Sequence, residues 1–226
     1  SQYKLEILKS NLSSPWSLTF INNSQVLISE KSGKIKLYDI PSNKITEIEH
    51  NLNVVRDQNS QGGLLDIYFY NNQIFISYSE NVGDNLSSPS TTSIAKANLD
   101  FNFLDFKNIF RANPPIRSPY HFGSRIVINN DYLYASVGER GKGMIAQDAS
   151  KHPGSIIRIK LDGTAPNDNP HFTSNTNWLP EIYQIGIRNP QGISYSSFDD
   201  KIYISNHGAK GGDWFGEVKK GENYGW

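Results

Sequence analysis

The chain has no cysteine among its 226 residues and only one methionine. Without cysteine it can form neither disulfides nor thiolate metal sites, so its redox compartment is left open. It also lacks a charge excess, because 22 Lys and Arg balance 22 Asp and Glu. With no basic block either, no nucleic-acid-binding surface is expected. No apolar run approaches the roughly 20 residues that a membrane-spanning helix requires, so we expect no membrane span.

Stretches rich in Ala, Leu and Glu, which helices favour, are also scarce. The sequence instead contains 12 Tyr, 11 Phe, 18 Gly and 11 Pro. Aromatic and β-branched residues suit the half-buried surface of a sheet, and Gly and Pro mark turns. The composition therefore predicts an all-β chain with many turns.

One pattern occurs four times: a run of strand-forming residues opened by Pro or Gly, a polar turn, and a second run. The paired runs are 15–21 with 26–29, 63–70 with 74–78, 123–128 with 132–137, and 192–195 with 202–205. A third run follows in three copies, at 34–39, 93–97 and 156–162. Copies of roughly 45–65 residues, each a small antiparallel sheet, are typical of the blades of a β-propeller.

We therefore predict an all-β fold, a β-propeller of four-stranded antiparallel blades. Only about three and a half blades are present, whereas a closed ring needs at least four. Residues 1–226 are expected to form one partial propeller domain that is truncated at its C-terminal end. The copies lengthen through insertions at 84–92, 101–119 and 163–180, which we expect on one functional face.

The strongest functional signal is Gly-Ile-Arg-Asn-Pro-Gln-Gly at 186–192, between strand-like runs at 181–185 and 193–196. Arg donates hydrogen bonds in a rigid fork, and Asn and Gln both donate and accept. A loop with Arg188, Asn189 and Gln191 can therefore hold an anionic, carbonyl-rich ligand.

Five ordered motifs carry a family resemblance, which extends over nearly the whole chain. They lie at residues 61–65, 121–125, 134–141, 161–170 and 181–192. In these motifs the chain resembles the soluble quinoprotein aldose sugar dehydrogenases, also called the glucose/sorbosone dehydrogenase family. The resemblance implies a six-bladed propeller that holds pyrroloquinoline quinone (PQQ) over Ca²⁺ and oxidises the anomeric carbon of aldoses to lactones.

The resemblance implies a catalytic group of His121, Glu139 and Arg188. His121 stands at the position of the general base, which takes the proton of the C1 hydroxyl; a neutral imidazole suits that task. Glu139, where the family has Asp, would orient the imidazole. Arg188 would stabilise the negative charge that develops on the quinone.

The resemblance also implies the binding residues. PQQ would contact the side chains of Gln61, Arg188, Asn189 and Gln191. Ca²⁺ would be bound by two consecutive backbone carbonyls, those of Gly208 and Ala209. Ala209 stands where Pro is common, but a carbonyl ligand does not depend on the side chain.

Several positions depart from the family pattern. Asn206 stands where relatives usually carry Glu, and Trp-Phe-Gly at 214–216 replaces a segment with a carboxylate. We therefore expect no second, structural calcium. The basic residues that clamp the PQQ carboxylates are expected in blades beyond Trp226, so this chain alone is not expected to bind PQQ tightly.

Other signals are weaker. We expect His152 and His171, in loops beside Pro, to be surface residues. The Arg-Gly-Lys-Gly run at 140–143 lacks the pattern of a phosphate-binding loop and the following helix, so we assign it no ligand.

The leading functional prediction is a PQQ-dependent aldose sugar dehydrogenase in the periplasm or outside the cell. It would pass electrons from an aldose to an external quinone or small carrier. The alternative is a non-catalytic propeller that binds a partner and has lost PQQ. A Ca²⁺-dependent lactonase would need several inward-facing carboxylates and ranks third. The sugar, the electron acceptor and the formation of a homodimer stay open.

Overall fold

The structure is a computed structural model that describes residues 3–54, 59–83 and 88–226. The described part is almost wholly β-structure, in four small sheets that follow one another along the chain. The first strands of successive sheets contact one another, so each sheet is a blade around a common axis. The predicted all-β propeller with four-stranded antiparallel blades is confirmed.

The blades are built from consecutive strands. Blade 1 comprises β1 (Pro15–Phe20), β2 (Gln25–Glu30), β3 (Ile35–Asp39) and β4 (Lys44–His50). Blade 2 comprises β5 (Leu64–Tyr70), β6 (Gln73–Asn81), β7 (Ser90–Asn98) and β9 (Lys107–Arg111). Between β7 and β9 lies a two-residue strand, β8 (Phe103–Leu104), which pairs in parallel with β4 of blade 1. Blade 3 comprises β10 (Gly123–Asn129), β11 (Tyr132–Val137), β12 (Ser155–Lys160) and β13 (Ile182–Ile185). Blade 4 comprises β14 (Asn189–Ser196), β15 (Lys201–His207) and β16 (Trp214–Glu217).

Two short helices interrupt the sheets. A 3₁₀ helix spans Gly143–Gln147 and the α-helix α1 spans Pro170–Thr173. Among the residues that the structure describes, no helix is long and apolar enough to cross a membrane.

Tight turns of Asn and Asp join the first two strands of blades 2 and 3. Asn71 and Asn72 have φ of 48° and 59°, and Asn130 and Asp131 have φ of 50° and 60°. Two consecutive residues with positive φ define the turn whose twist matches antiparallel strands, and Asn and Asp tolerate that backbone well. The turns therefore fix the register of both hairpins, as their sequence predicts.

Three sequence expectations need correction. The segment 101–119 is not merely an insertion, because β8 and β9 lie within it. The loop at 186–192 is shorter than expected, because β14 begins at Asn189. The end of the predicted insertion at 84–92 belongs to β7, and its residues 84–87 lie outside the described residues.

Apolar side chains between the blades form the core. One cluster joins blades 1 and 2 around Leu27 and Ile76, a second joins blades 2 and 3 around Phe75 and Leu133, and a third joins blades 3 and 4 around Ile204. Fully burying one such side chain stabilises the fold by about 1.5–3 kcal/mol. Alternate residues of each strand thus hold the neighbouring blade in place.

Polar contacts at the first strands add a second link between blades. Arg125 on β10 donates hydrogen bonds to Ser17 Oγ (3.0 Å), to Asp66 Oδ1 (3.1 Å) and to the Gln191 carbonyl (2.9 Å). These partners lie on β1, β5 and β14. One guanidinium therefore ties together the first strands of all four blades.

This architecture gathers the predicted site residues at one edge. In an antiparallel hairpin, the start of the first strand and the end of the second meet on the same side. His121 and Arg188 precede β10 and β14, whereas Glu139 and Gly208 follow β11 and β15. Residues far apart in sequence consequently meet at the same end of the blades.

Candidate active site

The centre of the site is a contact between His121 and Glu139. The imidazole Nδ1 of His121 forms a short hydrogen bond with Glu139 Oε1. The other carboxylate oxygen, Oε2, accepts the Gly143 backbone N–H at 2.8 Å. Glu139 is only 1% exposed, so both of its oxygens are held by the protein. The longer side chain of Glu thus still reaches the imidazole.

The ionised carboxylate of Glu139 determines which nitrogen of the His121 imidazole carries a proton. Burial raises the pKa of Glu139, but the hydrogen bond from His121, the charge of His121 and the Gly143 N–H lower it by more, so the pKa lies below its ordinary value. An ionised Glu139 only accepts hydrogen bonds, so Nδ1 of His121 is the donor and carries a proton. In the neutral imidazole, Nε2 is then the basic nitrogen.

Gln61 holds the backbone of His121. Its side-chain Oε1 accepts the His121 N–H at 2.9 Å, and its own backbone N–H donates to the Pro119 carbonyl at 2.8 Å. Blade 2 thereby supports the residue that precedes blade 3. The Gln61 side chain belongs to the site, and its carbonyl oxygen is already used within the protein.

Arg188 lies beside this pair. Its carbonyl accepts the Glu139 backbone N–H at 2.9 Å, and its Nη1 donates to the His207 carbonyl at 3.2 Å. The guanidinium carbon lies 5.4 Å from the centre of the Trp226 ring. The residue is half-buried, and its guanidinium lies between the His207 carbonyl and the Trp226 ring.

Asn189 and Gln191 extend the site along β14. Asn189 is buried, and its Oδ1 accepts the Gly123 N–H at 3.0 Å, which joins blade 4 to blade 3. The Oε1 of Gln191 lies 2.9 Å from Nε2 of His207. The structure therefore brings both predicted cofactor residues to the site, but gives Asn189 a structural bond as well.

The predicted calcium ligands lie in a tight turn after β15. The Gly208 N–H donates to Asp213 Oδ1 at 2.9 Å, and the Ala209 carbonyl accepts the Gly212 N–H at 3.1 Å. A Cβ at position 208 would lie 1.9 Å from the Gly212 oxygen, so the turn requires glycine there. Two consecutive carbonyls fit part of the oxygen shell of Ca²⁺, which takes six to eight ligands.

A groove adjoins this turn. It is lined by Gln191, Ser205, Asn206, His207, Asp213, Trp214 and Phe215. Polar groups of Gln191 and His207 thus meet aromatic rings of β16 in one depression, which suits a ligand with polar and flat parts. Among the described residues, no group of three or more His, Cys, Asp or Glu side chains could hold a metal ion.

Sequence reasoning missed the role of Asn206. Its Oδ1 accepts the backbone N–H groups of Arg188 (3.2 Å) and Asn189 (2.9 Å). The side chain is buried and fixes the backbone that carries the guanidinium. The only sequence signal for this role was that Asn206 stands where Glu is usual in the family pattern. That departure did not reveal that its amide oxygen accepts two backbone N–H groups.

His152 also differs from expectation, because it is buried rather than on the surface. Its Nδ1 accepts the Asn113 N–H at 2.9 Å and its Nε2 lies 3.1 Å from Glu181 Oε2. His171 is half-buried, with Nδ1 2.6 Å from the Trp178 carbonyl. Both satisfy the ordinary structural role of a histidine in a loop.

The fold and the site define a β-propeller protein with a histidine–carboxylate pair at one end of its blades. The model of the family described as glucose/sorbosone dehydrogenase matches residues 12–226. The chain belongs to the glucose/sorbosone dehydrogenase family.

Its relatives are longer proteins. Aldose sugar dehydrogenase YliI of Escherichia coli (strain K12) is 32% identical over 98% of this chain, which spans 61% of that relative. The crystal structure of the soluble aldose sugar dehydrogenase from Escherichia coli, in the apo-form, gives a TM-score of 0.90 at 31% identity and covers 98% of this chain and 65% of that one. The PQQ-bound form of aldose sugar dehydrogenase from Streptomyces coelicolor gives 0.80 at 25% identity, with the same shares covered.

Proposed function

We propose that the full-length protein is a PQQ- and Ca²⁺-dependent dehydrogenase that oxidises the C1 hydroxyl of aldose sugars to lactones. The observation that carries the proposal is the contact of His121 with the buried carboxylate of Glu139, whose backbone N–H donates to the Arg188 carbonyl. Family membership supports it, as do relatives named for aldose oxidation and a similar structure with PQQ bound.

In the proposed reaction His121 is the general base. Glu139 holds Nδ1, so Nε2 takes the proton of the C1 hydroxyl as the C1 hydrogen leaves with its electron pair. The buried carboxylate then stabilises the imidazolium that forms. When bound, PQQ supplies the two-electron acceptor for that hydride and Ca²⁺ supplies a Lewis acid.

The other site residues would bind the cofactor. Arg188 presents a fork of donors to carbonyl or carboxylate oxygens, and Gln61 and Gln191 present amide donors. Asn189 would join through its NH₂ group, because Gly123 occupies its Oδ1. Additional basic partners for the PQQ carboxylates are expected in the part of the family fold that this chain does not span.

The carbonyls of Gly208 and Ala209 would bind Ca²⁺. They supply two ligands, so PQQ oxygens and water would have to complete the shell. We further propose that the enzyme works in the periplasm or outside the cell and passes electrons to a quinone or a small carrier.

A reconstitution experiment tests the function. The full-length apoprotein is titrated with PQQ in the presence of Ca²⁺, and dye reduction is measured with a panel of aldoses. We expect saturable, PQQ-dependent reduction with at least one aldose. Reduction that does not require PQQ would contradict the proposed cofactor, and failure of the full-length protein to bind PQQ would contradict both cofactor and activity.

The second candidate is a non-catalytic propeller that has lost PQQ and binds a partner. Asn206, where relatives usually carry Glu, and the altered segment at 214–216 favour it. The same titration separates the two functions, because a binding module would neither take up PQQ nor reduce the dye.

A further inference from the structure

The backbone at the proposed base is in a disfavoured conformation. His121 has φ of 53°, and Gly123 and Ser124 follow with 61° and 82°. A non-glycine residue rarely adopts positive φ, because Cβ then crowds the backbone, and such residues persist only where their surroundings fix them. Some neighbour must therefore hold the 118–122 segment, which carries the imidazole.

Gln61 accepts the His121 N–H, and Arg140 holds the rest of the segment. Its Nε donates to the Tyr120 carbonyl at 2.8 Å, its Nη2 donates to the Ser118 carbonyl, and its backbone N–H donates to the His121 carbonyl at 3.3 Å. The guanidinium carbon lies 3.7 Å from the centre of the Phe122 ring. The Arg140 side chain thus contacts the segment both before His121, at the Ser118 and Tyr120 carbonyls, and after it, at the Phe122 ring.

The same guanidinium anchors the segment to blade 2. Its Nη1 donates to the Ser90 carbonyl at 2.7 Å and its Nη2 to Ser90 Oγ at 3.0 Å. Ser90 is the first residue of β7, and it also pairs with Ile116 just before the segment. Arg140 therefore links the 118–122 segment to a strand and not to another loop.

The cost of burying this cation shows that the arrangement is specific. Arg140 is 2% exposed, and among the described residues its side chain bonds carbonyl and hydroxyl oxygens rather than a carboxylate. Burial lowers its pKa to about 9, against the opposing charge of Glu139, so it stays charged at neutral pH. Burying a cation without a direct ion pair costs free energy, and here four hydrogen bonds to carbonyl and hydroxyl oxygens and the contact with the Phe122 ring hold the guanidinium in one orientation.

We propose that Arg140 is a positioning residue that locks the 118–122 segment and so holds the His121 imidazole against Glu139. The proposal rests on the proposed function for its catalytic consequence, but not for its geometry. Lysine cannot replace Arg140, because a single ammonium group cannot reach three carbonyls and a ring face in fixed directions.

The test uses the full-length protein with Arg140→Met and Arg140→Lys. In the apoprotein, proton NMR should show a low-field, exchange-protected Nδ1–H of His121, assigned by its loss in His121→Gln. We expect both Arg140 variants to lose this signal while their circular dichroism stays native. Arg140→Lys keeps the positive charge, so it still tests the proposal if Arg140→Met does not fold.

Arg158→Met is the matched control. Arg158 is also buried and stacks on Tyr132 at 3.9 Å, but it lies on β12 and bonds Asp168. It should keep the His121 signal. In the PQQ-loaded protein we expect kcat of the Arg140 variants to fall by about 10²-fold with KM little changed, because misplacement of a catalytic group by ~1 Å costs that much.

The outcomes are distinct. Loss of the His121 signal in the Arg140 variants and not in Arg158→Met supports the positioning role. A native signal in a folded Arg140 variant overturns it, as does equal loss in the control. If wild-type protein shows the signal but no dehydrogenase activity, the proposed function fails while the geometric role of Arg140 is still decided by the spectra.

Discussion

Replacing Glu139 with Gln tests the His121–Glu139 pair with the smallest change in shape. The wild-type carboxylate accepts the His121 Nδ1–H with one oxygen and the Gly143 N–H with the other. Glutamine offers one acceptor and one donor group in their place. If its carbonyl faces Gly143, its NH₂ favours the tautomer with the proton on Nε2. If its carbonyl faces Nδ1, the NH₂ and the Gly143 N–H oppose each other.

The first arrangement removes the lone pair that the proposed base needs. General base catalysis contributes about 10²–10⁴-fold to a rate, so we expect kcat to fall within that range. Loss of a hydrogen bond to a charged group should also lower the free energy of unfolding by about 1.5–3 kcal/mol. PQQ affinity should change little, because Glu139 is not among the proposed cofactor ligands.

The assay is steady-state dye reduction by the PQQ-loaded, full-length protein, with urea unfolding alongside. Glu181→Gln is the matched control, because Glu181 pairs with the buried His152 and not with His121. It should cost comparable stability and leave kcat unchanged. A folded Glu139→Gln protein with wild-type kcat would show that the carboxylate does not assist His121.

Further predictions concern stability and the metal site. Arg125→Met should lower the free energy of unfolding by about 3–5 kcal/mol, because it leaves the buried Asp66 carboxylate without its cation; urea unfolding measures this, and a loss below about 1 kcal/mol would contradict it. Because the folded-state pKa of Glu139 is lowered, its ionised form stabilises the fold above its unfolded pKa of about 4.3, and this contribution is lost as pH falls through the folded pKa. The difference in urea midpoint between wild type and Glu139→Gln should therefore shrink as the pH falls below about 4.3, and a constant difference would argue against a lowered pKa. Leu133→Ala, fully buried between blades 2 and 3, should cost about 2–5 kcal/mol in the same assay. Gly208→Ala should raise the Ca²⁺ concentration needed for reconstitution, because the added Cβ meets the Gly212 oxygen at 1.9 Å; an unchanged Ca²⁺ titration would count against a metal site in this turn.

The hairpins could be predicted from sequence because their signals are local. Asn71 and Asn72 supply a turn with positive φ, and the flanking runs are rich in the β-branched and aromatic residues that favour strands. The same reasoning found the hairpin of blade 3. The strand β9 was missed because its five residues, between short polar and Pro-rich stretches, carry too little periodicity to separate a strand from an insertion.

The contact between His121 and Glu139 could be anticipated from the sequence, but the hydrogen bonds around it could not. The resemblance pointed to His121 and Glu139, and the antiparallel hairpins explain why they meet. The burial of His152 could not be read from sequence, since it depends on Asn113 and Glu181 in other segments. Arg140 was likewise hidden, because a basic residue in a Gly-rich run usually faces solvent.

His121→Ala in the full-length protein, at matched PQQ occupancy, tests whether His121 is the base of a PQQ-dependent aldose dehydrogenase. We expect kcat to fall by about 10²-fold or more with nearly unchanged PQQ affinity. His171→Ala, which alters a histidine bonded to the Trp178 carbonyl, should retain wild-type turnover. Aldose oxidation by His121→Ala at the wild-type rate would exclude His121 as the base.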